Sequence, residues 1–247
     1  MTVVCFICSL VKGNSSVYDP FWSIVPCFFT IAWAYLHADV LNVYHIITFI
    51  VINLWSWRLT FNWIRSWSGF EHEDWRYVEL AEKTGALYPI VNFFGIHLFP
   101  TLWVFGGMWP LFYMFGAELQ SLAFFIIGVI ISFAGFLFEF FADNQLAAFR
   151  RRKNPKMEDL LDTGLWGRSR HPNYLGELLF WIGLFAIGYS FGAPLMTVAG
   201  CVALILLFML ASIPWKERRM AARRPAFKDY QRRVPMLIPS LKSTAKR

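Results

Sequence analysis

The sequence predicts an all-α integral membrane protein, a polytopic helix bundle with six full membrane spans and a short apolar segment before them. Three observations lead to this fold class. Hydrophobic residues make up 57% of the 247 residues and charged residues only 16%, against about 25% charged in ordinary soluble domains. Six apolar stretches approach the length of a bilayer crossing. All 23 lysines and arginines lie outside those stretches.

The composition also excludes other classes of protein. Aromatic residues reach 19%, whereas disordered chains are rich in charge and poor in aromatics. A water-soluble globule of this size has too little interior to cover so much apolar surface. Cys5 and Cys8 form a C-x-x-C pair, but inside an apolar run, and no Cys or His spacing resembles a zinc site. We therefore expect packed thiols and no metal.

Six apolar stretches are the candidate spans. A crossing helix needs about 20 residues, so the shorter stretches must extend into flanking Trp, Tyr, Lys or Arg. The N-terminal residues 2–11 are apolar but too short to span, and residues 107–117 read as an interfacial turn. The predicted spans are 21–37, 41–57, 88–106, 119–142, 175–190 and 194–213.

The basic residues predict the orientation. They fall in four segments, 12–20, 58–87, 143–174 and 214–247, and six spans place all four on one side of the membrane. By the positive-inside rule that side is the cytoplasm, so the polar loops and the tail are cytoplasmic. The net charge is +7, and many of the basic residues lie next to predicted membrane exits. Membrane lipids, and not nucleic acids, are therefore the expected partners.

Two polar patches on the predicted cytoplasmic side carry most of the chemistry. Glu139, Asp143 and Arg150 follow one helix face at the end of the fourth span, and carboxylates at a membrane boundary need a partner or a ligand. They can bind a ligand or pair with an arginine of a neighbouring helix.

The second of these patches begins the fifth span. Pro172 suits the first position of a helix, and a helix N-terminus beside Arg168, Arg170 and His171 favours an anion such as a phosphate. Asn173 and Glu177 follow one turn apart. The structural alternative is a capped helix with a positive membrane anchor.

The basic tail allows two placements. Residues 215–233 are amphipathic enough to lie on an anionic leaflet, and they can equally fold back over the Arg168–Glu177 patch as a lid. Nearer the N-terminus, the acidic run at residues 71–74 can cap a following helix and pair with Arg65 or Arg76.

A longer pattern joins these patches. It runs Asp143-Asn144-Gln145-x4-Arg150, then Gly164-Leu165-Trp166-Gly167-Arg168-Ser169-Arg170-His171-Pro172-Asn173-Tyr174-Leu175-Gly176-Glu177. It resembles the C-terminal domain of the steroid 5-alpha-reductases, and most closely the branch long described as a domain of unknown function. Asp19-Pro20-Phe21-Trp22 and the run from Gly69 to Tyr77 resemble N-terminal signatures of that branch. The shorter R-H-P-x-Y core is shared with isoprenylcysteine carboxyl methyltransferases and sterol reductases.

The resemblance implies a seven-helix bundle with a cavity open to the cytoplasm that holds NADPH. The N-terminal portion would span residues 12–87 and the cofactor-binding portion residues 119–247, within one integral-membrane domain over 1–247. Tyr230 falls where relatives place cofactor or lid residues. The cofactor-binding residues implied are Glu139, Asp143, Asn144, Arg150, Arg168, Arg170, His171, Asn173, Tyr174, Glu177 and Glu217.

The proton-donating residues of the family are the ones that match this sequence least well. Steroid 5-alpha-reductases polarise the substrate carbonyl with a Tyr and a Glu, and alignment on Arg58 places Trp55 where that Tyr would be. An indole donates a hydrogen bond but no proton. Asp19, His72 and Tyr77 are the candidates for another acid, and the other reading is that the substrate is no steroid enone.

The function that follows is NADPH-dependent reduction of a C=C bond in a lipophilic substrate, which is steroid-, sterol- or enoyl-lipid-like. One alternative is a methyltransferase that uses S-adenosylmethionine on an isoprenylcysteine-type thiol. Another is a non-catalytic lipid-binding or scaffold protein. The expected location is the endoplasmic reticulum in a eukaryote or the inner membrane in a bacterium, and the sequence leaves the oligomeric state open.

Overall fold

The protein is helical throughout the part described by a computed structural model, residues 1–152 and 159–241. No β-strand occurs in these two ranges. Short 3₁₀ or π segments join several of the α-helices. The α-helices are α1 Thr2–Lys12, α2 Asp19–Leu36, α3 Val43–Ser66, α4 Trp75–Thr84, α5 Tyr88–Val91, α6 Phe99–Met108, α7 Leu122–Arg150, α8 Pro172–Tyr189, α9 Ala199–Leu207, α10 Ile213–Arg223 and α11 Phe227–Arg233.

Three continuous helical runs among the described residues are long and apolar enough to cross a membrane, which makes this a membrane protein. They are Trp75–Phe115, Leu122–Arg150 and Leu195–Arg223. The first and third contain a π-helical stretch, at Asn92–Leu98 and Phe208–Ser212. Helix covers most of each of the six predicted spans, but six crossings remain a prediction.

The loop predicted between the second and third spans is more ordered than its polarity suggests. Helix α3 continues to Ser66, and Arg65 Nη2 donates to Asn62 Oδ1 at 3.1 Å on its last turns. Helix α4 then begins after Asp74, whose carboxylate accepts from the Arg76 backbone N–H at 2.9 Å. Arg76 Nε also lies 2.8 Å from Asp74 Oδ1, so the predicted cap and the predicted pairing with Arg76 are both present.

The chain forms two compact units, Met1–Glu118 and Leu119–Arg247. In the first unit, Cys5, Tyr18 and Ile96 form a buried cluster against which Tyr77 and other aromatic side chains pack. Helix α3 starts with a capping box, because Asn42 accepts from the His45 N–H and donates back to the His45 ring.

In the second unit, α7 and α8 pack closely along a row of small residues. A methyl group added to Gly135 would lie 2.5 Å from the Gly176 carbonyl oxygen and 2.6 Å from the Phe180 nitrogen. Ser132 also donates across this contact to the Phe180 carbonyl oxygen at 3.1 Å. Helix pairs in membranes commonly use small residues in this way, because backbones can then approach.

Candidate functional site

An acid–amide cluster forms where α7 faces α8 in the second unit. Glu139 and Asp143 come from α7, and Asn173 and Glu177 come from α8. Glu139 is 2% exposed and Glu177 is 5% exposed, and the Asn173 amide donates to the Asp143 carboxylate at 3.4 Å. The structure thus brings four of the predicted cofactor-binding residues onto two facing helices.

The close approach of the helices positions this acid–amide cluster. A methyl group on Gly176 would lie 2.5 Å from the Glu139 Cγ atom, so only glycine lets the glutamate lie along α8. The indole of Trp181, one turn after Glu177, donates to its carboxylate at 2.8 Å. This hydrogen bond holds the Glu177 carboxylate in a defined orientation.

Two backbone N–H groups at the start of α8 have hydrogen-bond partners within the protein. Helix α8 begins at Pro172, as predicted. Asn173 Oδ1 accepts from the Tyr174 backbone N–H at 3.1 Å, and the His171 backbone N–H donates to the Met236 carbonyl oxygen at 3.1 Å. These N–H groups, which the sequence suggested for an anion, have partners within the chain.

Arg170 and His171 both contact Glu217 on α10. Arg170 Nε lies 2.7 Å from Glu217 Oε1, and His171 Nε2 lies 2.9 Å from the same oxygen. A carboxylate accepts, so His171 carries its proton on Nε2 and leaves Nδ1, which is buried, without a hydrogen-bond partner. Burial lowers the pKa of His171, and the bond to Glu217 only partly opposes this effect.

Arg170 is also the anchor of a C-terminal strap, which we define as residues 227–240. Its Nη1 atom donates to the carbonyl oxygens of Gln231 at 3.0 Å and Val234 at 2.7 Å. The Tyr230 hydroxyl donates to the Trp166 carbonyl oxygen at 2.6 Å. The tail therefore folds back over the 165–171 loop, as in the second of the two predicted placements, the lid. That Arg170 binds a cofactor stays a prediction.

Other predicted cofactor residues surround this region with exposed charge. The side chains of Arg150, at the end of α7, and Arg168 are exposed. The Tyr174 ring stacks on the His171 ring at 5.4 Å between centroids, and the Lys216 Nζ atom lies 4.8 Å from the centroid of the same Tyr174 ring. Asn144 is half-buried on α7.

Sequence reasoning missed residues that bind the same loop. Gln145 accepts from the Leu165 backbone N–H at 2.9 Å, and the Trp166 indole donates to the Ala142 carbonyl oxygen at 3.0 Å. Gln231 donates to Glu217 at 2.8 Å. Gln145 and Trp166 belong to the motif quoted above, so the sequence could have pointed to them. Nothing in the sequence indicated that Gln231 lies beside Glu217.

In the first unit, two of the three candidate acids are in contact. The Tyr77 hydroxyl donates to Asp19 Oδ1 at 2.5 Å. Burial raises the pKa of Asp19 to about 6, although Arg76 and the Tyr77 hydrogen bond act to lower it. The His72 side chain is exposed, and only its carbonyl oxygen joins this region, accepting from Asn14 at 3.1 Å.

An apolar cavity of about 360 Å³ lies in the first unit. Its surface is almost entirely carbon, and a volume above about 300 Å³ is within the range of small-molecule sites. Trp22 lines it and packs edge-on against the fully buried Trp55 at 6.0 Å. The lining residues are Met1, Thr2, Cys5, Tyr18, Phe21, Trp22, Val25, Phe28, Phe29, Ala32, Thr101 and Val104.

The fold and the buried polar groups define a helical membrane protein with an acid–amide cluster between two apolar helices. Across the described residues, no group of three or more His, Cys, Asp or Glu side chains is arranged to hold a metal ion. The chain belongs to the family described as a protein of unknown function, DUF1295, whose model matches residues 5–234.

Two relatives extend this comparison. An uncharacterized protein of Schizosaccharomyces pombe is 27% identical over 254 residues, covering 92% of this chain and 73% of the yeast protein. The nickel-cobalt-cadmium resistance protein NccN of Alcaligenes xylosoxydans xylosoxydans is 32% identical over 87 residues, covering 35% of this chain and 38% of NccN. No solved structure matches the chain.

Proposed function

We propose that this protein is a membrane-embedded, NADPH-dependent oxidoreductase that reduces a C=C bond of a lipophilic substrate. The observation that carries the proposal is the acid–amide cluster of Glu139, Asp143, Asn173 and Glu177. Buried carboxylates between apolar helices are costly, and in membrane proteins such groups usually mark a site of function.

The chemistry of this cluster suits a nicotinamide nucleoside. Ribose hydroxyls and a carboxamide offer O–H and N–H donors, and carboxylates such as Asp143 together with the Asn173 amide supply matching acceptors and a donor. The phosphates would meet the exposed guanidinium groups of Arg150 and Arg168. When bound, NADPH supplies a hydride.

The resemblance to steroid 5-alpha-reductases supports the same assignment. The matching residues between Asp143 and Glu177 lie on α7, on α8 and in the loop before α8, and the family model covers both ends of this pattern. We propose that the DUF1295 family shares the cofactor and the reaction class of those reductases.

Asp19 and Tyr77 are the two acid candidates that the structure brings into contact. Reduction of an enone requires a proton donor at the carbonyl oxygen, where negative charge develops. Tyr77 and Asp19 share a hydrogen bond of 2.5 Å, and a carboxyl with a pKa near 6 keeps a proton available close to neutral pH. We assign the donor to this pair in preference to the exposed His72.

The proposed arrangement in the membrane keeps six crossings, with the polar loops and the tail in the cytoplasm. The apolar cavity within the first unit can hold a hydrocarbon group from the bilayer. In a eukaryote the membrane would be the endoplasmic reticulum, and in a bacterium the inner membrane.

Ligand-dependent stability tests the cofactor. Detergent-purified protein is heated with NADPH, NADH or S-adenosylmethionine, because a ligand at 100 times its Kd stabilises the folded state by about 2.7 kcal/mol. We expect NADPH to raise the unfolding temperature most. A rise with S-adenosylmethionine alone would indicate the methyltransferase, and no rise with any ligand would indicate a non-catalytic lipid-binding or scaffold protein. NADPH oxidation with fractionated lipid extracts then identifies the substrate.

A further inference from the structure

We infer that the cavity of the first unit accepts an unfunctionalised hydrocarbon end of the ligand, a chain or ring system of about fourteen carbons, and excludes a ligand with a polar group at that end. The inference rests on the proposed function only in calling this ligand the substrate. It assigns a selectivity that the acid–amide cluster of the second unit does not set.

The hydroxyl groups at the cavity wall donate their hydrogen bonds to other groups of the protein. The Thr101 hydroxyl donates to the His97 carbonyl oxygen at 2.7 Å, which uses its single proton. Its oxygen must therefore accept from both neighbours, the Tyr18 hydroxyl at 2.8 Å and the Thr2 hydroxyl at 3.2 Å. No hydroxyl proton of these three residues remains for a ligand.

The rest of the cavity wall consists of apolar side-chain atoms. Phe21, Val25 and Phe29 line the cavity with apolar side chains, and the three committed hydroxyl groups add almost nothing to its surface. A polar group that entered would lose its bonds to water and meet a wall with almost no polar surface and no free hydroxyl proton, which weakens binding strongly. A bare hydrocarbon loses nothing of this kind.

The volume sets the size of the hydrocarbon. An apolar protein cavity of roughly 150 Å³ binds benzene, which has six carbons. Scaled in proportion, a cavity of about 360 Å³ accommodates roughly fourteen carbons. A branched side chain, an isoprenoid end or an acyl end fits this volume.

The cavity reaches the outer surface of the first unit. The lining residue Phe28 is 51% exposed, and its neighbour in the lining, Ala32, one turn later on α2, is also exposed. In the proposed six-span arrangement this side of α2 adjoins hydrocarbon, so a ligand would enter without passing through water. The same chemistry belongs to a phospholipid tail, which the experiment must separate from a free ligand.

Photolabelling tests the inference on the full-length protein in phospholipid nanodiscs. Two fourteen-carbon alcohols carry a diazirine near the end remote from the alcohol, and that remote end is a methyl in one probe and a second hydroxyl in the other. We expect the methyl-ended probe to label residues of α1, α2 and α6 at the cavity, at least tenfold more than the hydroxyl-ended probe. Equal labelling by the two probes would overturn the inference.

Matched variants locate the label. Ala32→Trp fills the cavity mouth and should abolish cavity labelling, whereas Ile31→Trp, at the adjacent residue that is 63% exposed and outside the lining, should not change it. Val25→Phe fills the cavity from inside and repeats the test if Ala32→Trp unfolds. Labelling that survives both filling variants would show that the probe sits elsewhere.

A third probe separates the two sources of hydrocarbon. A phospholipid with a diazirine in its acyl chain should label the cavity much less than the free methyl-ended probe. Equal labelling would mean an ordinary lipid groove and would contradict the inference. NADPH stabilisation is measured on the same samples, so a protein that passes the labelling test but ignores NADPH refutes the proposed reductase and leaves the cavity's selectivity standing.

Discussion

Arg170 and Glu217 form a two-point ion pair that ties the C-terminal strap to the loop before α8. Arg170 Nε lies 2.7 Å from Glu217 Oε1, and Arg170 Nη2 lies 3.3 Å from Glu217 Oε2. The two side chains are only 11% and 12% exposed. Since Arg170 also binds two strap carbonyl oxygens, this pair makes the fold of the tail depend on the same motif that the sequence assigned to the cofactor.

Replacing Arg170 by Gln should therefore destabilise the second unit. Removal of one member of a buried pair leaves the other charge uncompensated and costs about 3 kcal/mol or more. Thermal unfolding of detergent-purified protein measures the loss, and limited proteolysis should show earlier cleavage within residues 227–240.

The matched control for this variant is Arg232→Gln. Arg232 belongs to the same strap, but its side chain is 78% exposed and its partner Asp229 lies one turn away on the surface. Exposed pairs contribute little, so the control should unfold at nearly the native temperature. Equal effects of the two substitutions would show that the Arg170 pair does not hold the strap.

Gly135→Ala should weaken the packing of α7 against α8. The added methyl group would lie 2.5 Å from the Gly176 carbonyl oxygen, so the helices must separate, and overpacking of this kind costs typically 1–3 kcal/mol. Because the acid–amide cluster lies on the same contact, we also expect weaker NADPH binding. Gly116→Ala is the control, since nothing lies within 4 Å of a methyl group there. A Gly135→Ala protein with native stability would argue against this close contact.

The buried carboxyl of Asp19 should make stability depend on pH. Its pKa is about 6 in the folded protein, above the ordinary 3.8, so the folded state holds this proton more tightly than the unfolded state. The contribution of Asp19 is fully present below about pH 4 and is lost as the pH rises to about 6. The difference is on the order of 3 kcal/mol.

Unfolding temperatures of the native protein and Asp19→Asn, measured from pH 4 to pH 8, isolate this group from Arg76, Glu73 and Asp74 nearby. The native protein should lose stability relative to the variant between pH 4 and pH 6. In Tyr77→Phe the hydrogen bond that lowers the Asp19 pKa is gone, so the loss should extend to higher pH. Parallel curves for native protein and Asp19→Asn would refute the raised pKa.

Arg150→Ala should weaken the binding of NADPH about 10-fold or more, because a hydrogen bond to a charged group contributes about 1.5–3 kcal/mol. The binding of NADH should change less if Arg150 contacts the additional phosphate. Isothermal titration of purified protein gives both constants. Arg152→Ala is the control, since Arg152 is also exposed near the end of α7 and lies over the Phe149 ring at 4.6 Å. Unchanged NADPH affinity in Arg150→Ala would remove this residue from the site.

The sequence by itself determined the helical membrane class and many helix limits. Pro172 marked the start of α8 because a residue without a backbone N–H fits where that group has no helical partner. The acidic run at residues 71–74 predicted a helix cap, and the structure shows that Asp74 is the residue whose carboxylate accepts a free N–H at the start of α4. Such signals are local, so they can be read without knowing the neighbours.

Only the tertiary structure decided which groups meet. Nothing in the spacing showed that Glu217 would form an ion pair with Arg170. Nor did it show that Tyr77 would donate a hydrogen bond to Asp19, 58 residues away in the sequence. The hydroxyl groups of Tyr18 and Thr101 were likewise unremarkable until packing joined them. Local chemistry fixes what a segment can form, whereas the partner of a side chain depends on how distant helices pack.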